Sequence, residues 1–93
     1  MIIGLCTLEF HLPACRNLKE KRKFLNSFRS RVRNKFNVAV SEIDHHDLWQ
    51  RSSIGVVSVA SERDPIDRMF QKVLREAESR TDAELIAVDV EFL

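Results

Sequence analysis

Glycine and proline are nearly missing from this chain, with two of each among 93 residues. That scarcity argues against collagen-like, low-complexity and linker-rich architectures, and it leaves little material for long flexible loops. Cysteine is equally scarce. Cys6 and Cys15 fit no CxxC spacing and are too few for a disulfide framework, which points to a reducing, cytoplasmic setting. Long apolar runs are lacking too. The N-terminal "MIIGLCTLEFHL" contains Glu9 and His11 and is too short for a signal peptide or a membrane span. No internal repeat or low-complexity segment is visible.

Acid is what one segment lacks. Residues 16–35 carry Arg16, Lys19, Lys21, Arg22, Lys23, Arg29, Arg31, Arg33 and Lys35 against the single acid Glu20. Their local net charge is +8, which leaves −7 on the remainder of a chain whose total is +1. Such polarisation gives the molecule a defined electropositive side.

The length suits one domain, residues 1–93, near the lower limit of what one core stabilises unaided. Residues 2–12 alternate as a half-buried strand, with Leu8, Phe10 and Leu12 on one face and Thr7, Glu9 and His11 on the other. Pro13 ends it. Asn17 with Glu20 three residues on makes a capping box that opens a helix. Leu18, Leu25, Phe28, Val32 and Phe36 form its apolar sector, with Phe24 on the border.

"NVAVSEI" and "SIGVVSVAS" read as the next two strands. Val38 and Val40 imply one register for the first of these and Ile43 the other, so a bulge is expected there. Asp64 followed by Pro65 marks a second helix, with the N-cap at Asp64. Its buried stripe is Ile66, Met69, Phe70, Val73, Leu74 and Ala77. "AELIAVDVEF" is the last strand, with Ile86, Val88, Val90 and Phe92 inward. The order βαββαβ predicts an α+β, ferredoxin-like fold: a four-stranded antiparallel sheet in the order 4-1-3-2 with both helices on one face.

On the first helix Lys19, Arg22, Lys23, Asn26 and Arg33 lie opposite the apolar stripe, three and four residues apart. One acid cannot neutralise them locally. They form a solvated face, a phosphate-tracking surface for RNA or another polyanion, or a contact for an acidic protein partner. Stacking of bases on the open face of the sheet is disfavoured, because the first strand presents Thr7, Glu9 and His11 there and the third strand has no aromatic. An RNA partner should therefore meet the helical side. The expected contacts are Arg16, Lys19, Lys21, Arg22, Lys23, Arg29 and Arg33, with Arg51 as a neighbour.

"EIDHHDLWQR" (42–51) draws attention through its adjacent histidines, His45 and His46. A metal site needs three or four converging ligands, but neighbouring strand residues point to opposite faces and His11 is the only other histidine. No metal and no cofactor is expected. A hydrolytic triad is equally disfavoured, since Ser41, Ser52 and Ser53 lack a framed nucleophile position. Acylphosphatases share the topology, but their phosphate loop contains glycine and "HLPACRN" does not. No catalytic residue and no small-molecule substrate is assigned. Leu48 and Trp49 are expected to anchor the hairpin tip on the domain or on a second subunit, with Gln50 beside them and Asp47 and Ser52 bonding turn backbone.

Leu12-Pro13, Asn17 to Arg22, Phe36 to Val40, and Asp47 to Arg51 followed by Gly55 together resemble the pattern of the bacterial YlxP-like family, a small family of unknown function. The likeness runs over residues 1–61 and departs from the pattern at Lys35, where arginine is usual, and at the histidine pair. It implies a ferredoxin-like fold, a bacterial cytoplasmic protein and no established catalytic residues. Genes of the family commonly lie beside those of translation initiation factor two and ribosome-binding factor A, which implies a place in ribosome maturation or translation. The expectation is thus a non-enzymatic accessory protein that binds rRNA or a ribosomal subunit. The alternative is an interaction module that dimerises or docks through the Trp49 hairpin (Leu48, Trp49, Gln50) and its edge strand.

Overall fold

Apolar residues at alternate positions commit the first strand to a sheet, and the pattern ends where Pro13 removes a donor. A computed structural model describes residues 1–93. It contains β1 (Ile2–His11), α1 (Leu18–Lys35), β2 (Ala39–Asp44), β3 (Arg51–Ala60), α2 (Arg63–Glu78) and β4 (Glu84–Phe92). The strands form one sheet in the order β2-β3-β1-β4, antiparallel throughout. This is the expected βαββαβ, ferredoxin-like arrangement.

The core lies between the sheet and the two helices. Cys6, Leu8 and Phe10 of β1 and Ile54 and Val56 of β3 meet Phe24, Phe28 and Val32 of α1 and Ile66, Phe70 and Val73 of α2. Phe10 packs edge-on against Phe24 and Phe28, with ring centroids 5.2 and 5.4 Å away, the geometry that the ring quadrupoles favour. Gly4 lets α2 approach closely. A Cβ built there would lie 2.5 Å from Ile66 Cγ2 and 3.0 Å from the Phe70 ring. Burial pushes the Cys6 thiol up to about 11, with the Asp89 carboxylate adding to the effect.

α1 begins as its sequence requires: the Asn17 Oδ1 accepts from the Glu20 N–H at 2.9 Å. The reciprocal bond goes one residue earlier than in a standard box, from the Arg16 N–H to Glu20 Oε2 at 3.1 Å. α2 corrects the expected start. Its N-cap is Glu62 and its first helical residue Arg63, so Asp64 and Pro65 sit inside the first turn. The first-turn N–H groups have no intrahelical partner, so Pro65 is tolerated there as well as at the first position.

The bulge expected in the second strand is present between Glu42 and Asp44, at Ile43. Val38 and Val40 turn toward the core, whereas Ile43 lies over Gly55 on the open face of the sheet and is half exposed. β4 has a second irregularity opposite Glu9 and Phe10, which leaves Ile86 outside the pairing. Val88, Val90 and Phe92 keep the helix-side register, opposite Leu8, Cys6 and Gly4. Even so, Ile86, Val88 and Val90 remain exposed, contrary to the expected burial. An edge strand has a neighbour on one side only, and the helices do not cover this one fully. No helix is long and apolar enough to cross a membrane.

Candidate nucleic-acid interface

The buried side of α1 is made by Lys21, Phe24, Phe28 and Val32, at i, i+3, i+7 and i+11. Lys21 therefore corrects the expected cation set: it is 1 % exposed and cannot meet a phosphate in solution. Its ammonium bonds Glu42 Oε2 on β2 at 2.9 Å and the carbonyl of His45 at 2.7 Å, with the carbonyls of His46 and Arg51 at 3.4 Å. Glu42 Oε2 also accepts from Ser52 Oγ at 2.7 Å. One buried charge is thus paired and its donors are spread over the mouth of the β2–β3 hairpin.

This lysine also shapes the turn. His45 has φ of 62°, in the left-handed region that a side chain other than glycine rarely adopts. Three bonds hold it there: the His45 N–H to Asp44 Oδ1 (2.7 Å), the Leu48 N–H to the His45 carbonyl (3.0 Å), and the Lys21 contact. Asp44, rather than the expected Asp47, bonds the turn backbone, and Ser52 bonds Glu42 instead. The two histidines do not share a site. The nearest acid to His45 Nε2 is Glu9, at 3.9 Å, while His46 Nε2 lies 3.2 Å from the Glu42 carbonyl. No group of three or more His, Cys, Asp or Glu side chains is disposed to hold a metal.

Arg51 is the second correction. It pairs with His11 across β1–β3, on the face of the sheet that the helices leave open. There its Nη2 lies 4.0 Å from Glu9 Oε2, whose carboxylate also accepts from Ser53 Oγ at 2.6 Å. The guanidinium does not join the surface of α1. Gln50 is engaged within the chain as well, its Nε2 donating to the carbonyls of Pro13 (3.3 Å) and Cys15 (3.2 Å) while its own carbonyl accepts from the Leu12 N–H. Gln50 therefore fastens the β1–α1 connection to the hairpin. Leu48 and Trp49 are the apolar side chains left at the tip, 43 % and 49 % exposed.

The remaining cations fall into two groups. Arg31 and Lys35 both bond Glu76 of α2, Arg31 Nε at 2.7 Å, and their hydrogen bonds hold the Glu76 carboxyl below its usual range. Arg16, Lys19, Arg22, Lys23, Arg29 and Arg33 are exposed and pair with no acid. Four of these, Lys19, Arg22, Arg29 and Arg33, line up with Asn26 as one ridge along the helix. At ~1.5 Å rise per residue the ridge is about 21 Å long.

The ridge borders a groove of about 250 Å³ between α1 and the edge strand β2. Arg22, Leu25, Asn26 and Arg29 supply one wall, Val40, Ser41 and Glu42 the other, and His46 and Ile54 complete it. No sequence signal marks this groove, because it depends on β2 lying at the sheet edge beside α1. His46 enters through the turn, not through strand alternation.

Comparison with known proteins agrees with the family resemblance of the sequence. The family described as "Protein of unknown function (DUF503)" matches residues 3–90. The "Uncharacterized protein YlxP" of Bacillus subtilis (strain 168) is 42% identical over 73 residues, covering 78% of this chain and 79% of that protein. With so much of the chain matched, it belongs to the DUF503, YlxP-like family of proteins of unknown function.

Proposed function

We propose that this protein is a non-enzymatic RNA-binding accessory factor of the bacterial cytoplasm, acting on rRNA or a ribosomal subunit through the exposed ridge of α1. The observation that carries the reading is the set of unpaired cations Lys19, Arg22, Arg29 and Arg33 on one line, while Glu42 is engaged by Lys21, Glu76 by Arg31 and Lys35, and Glu20 by the Arg16 N–H. A straight basic ridge without exposed aromatics suits the backbone of a structured RNA, recognised by shape and phosphates. Each phosphate contact releases counterions, so affinity falls steeply with salt; four contacts correspond to a log–log slope of about −3 to −4.

The test is fluorescence anisotropy with an rRNA fragment across a salt series, using the wild type and the triple variant Lys19→Glu, Arg22→Glu, Lys23→Glu. The variant should bind at least about tenfold more weakly and show a shallower salt slope. Equal affinity in both proteins removes the reading.

A second reading rests on a separate observation. Ile43, Leu48 and Trp49 are all about half exposed near one end of the β2–β3 hairpin, which suits a protein contact such as a second copy of the chain.

A further inference from the structure

The groove between α1 and β2 offers more than a phosphate track requires. A surface that only followed a backbone would need Lys19, Arg22, Arg29 and Arg33 and nothing between them. Here the space beside Arg22 and Arg29 also has apolar side chains in Leu25, Val40 and Ile54, the last 2 % exposed. The flat ring of His46 lies at its margin, with Nε2 3.2 Å from the Glu42 carbonyl. The Asn26 amide, a donor and an acceptor together, borders the groove and bonds nothing within the chain.

Charge points the same way. Glu42 would oppose an anionic ligand, but Lys21 holds its Oε2 at 2.9 Å and balances it. Arg22 and Arg29 remain as the surplus, about 10 Å apart along the helix axis with Asn26 between them. The combination of an apolar surface, one ring, one amide and two flanking guanidiniums matches a nucleobase with phosphates on either side. Room for a whole drug-sized ligand is lacking, since such pockets run to ~300–1,000 Å³.

We infer that this groove receives a single unpaired nucleobase of a structured RNA whose phosphates lie on the α1 ridge. The inference rests on the RNA-binding reading above and narrows it to a substrate class. In a continuous A-form helix each base is stacked and its face is unavailable, so the ligand is a duplex interrupted by a bulged nucleotide.

The experiment compares a blunt RNA duplex with the same duplex carrying one bulged adenosine, by fluorescence anisotropy at fixed salt. The wild type should bind the bulged duplex at least about fivefold more tightly, the lower end of what one base on one ring contributes. His46→Ala removes the ring from an exposed groove position that lies off the α1 ridge. It should cut that preference to about twofold or less while leaving blunt-duplex affinity within about twofold, which also shows that the variant is folded. If the wild type binds both duplexes equally, or His46→Ala keeps the full preference, the groove takes no base and the ridge reading survives alone. If neither duplex binds, both readings fall.

Discussion

Lys21 of α1 and Glu42 of β2 meet at 2.9 Å with side-chain exposures of 2% and 13%, and this pair closes the hairpin against the helix. Removing one member of a buried pair is far costlier than its net contribution suggests, because the other charge stays buried without a partner. Lys21→Ala also strips the His45, His46 and Arg51 carbonyls of a donor.

The expected loss for Lys21→Ala is about 3–5 kcal/mol, a large share of a small domain's ~5–15 kcal/mol. It would be read as a lower midpoint in urea unfolding. The double variant Lys21→Met, Glu42→Gln should recover part of that loss, since a neutral amide no longer needs a counter-charge and can still accept from Ser52. A double variant no more stable than Lys21→Ala would show that the carbonyl contacts, not the charge pair, dominate.

How much of this was legible beforehand differs from residue to residue. Strand alternation placed Leu8, Phe10 and Leu12 correctly, and all three are fully buried. The conflict between Val40 and Ile43 foretold the bulge at Ile43. Lys21 was legible in principle, since i, i+3, i+7 and i+11 join it to Phe24, Phe28 and Val32. Residue type misleads at this position, because lysine is seldom buried unless paired. Gln50 and Arg51 were beyond reach, because their partners Pro13, Cys15 and Glu9 lie more than thirty residues away and are set by tertiary pairing. The exposure of Val88 and Val90 was hidden for a related reason. Alternation reports which face a residue takes, not whether an edge strand is covered.

Glu76 gives a pH prediction. Hydrogen bonds from Lys35 and Arg31 lower its folded-state pKa from an ordinary 4.5. A depressed carboxyl contributes stability that is fully present above the unfolded value and is lost as pH falls through the folded one. Wild type should therefore lose stability below about pH 4.5 more steeply than Glu76→Gln, with the two curves converging in strong acid. The cations are about half exposed, so the difference at neutral pH should stay near or below ~1 kcal/mol and shrink with added salt. Thermal unfolding across pH 2–7 checks this. The control is RNA affinity: Arg31 and Lys35 lie outside the α1 ridge, so Glu76→Gln should leave it unchanged to within about twofold.

Trp49 decides between a bare hairpin tip and an interface. It is 49 % exposed and is the chain's only tryptophan, so its fluorescence reports on this position alone. In an isolated chain the emission should be red-shifted and readily quenched by iodide. If a second copy covers the tip, light scattering should give twice the monomer mass, the emission should move to the blue on concentration, and Trp49→Ala should return the protein to a monomer. Truncating a central aromatic anchor typically costs ~2 kcal/mol or more, a shift of about thirtyfold in the dimer constant. A monomer in both wild type and variant removes self-association. The exposed apolar group of Ile43, Leu48 and Trp49 would then be open to a different protein, and the α1 ridge would keep its RNA reading untouched, because Arg22 and Arg29 owe nothing to the tip.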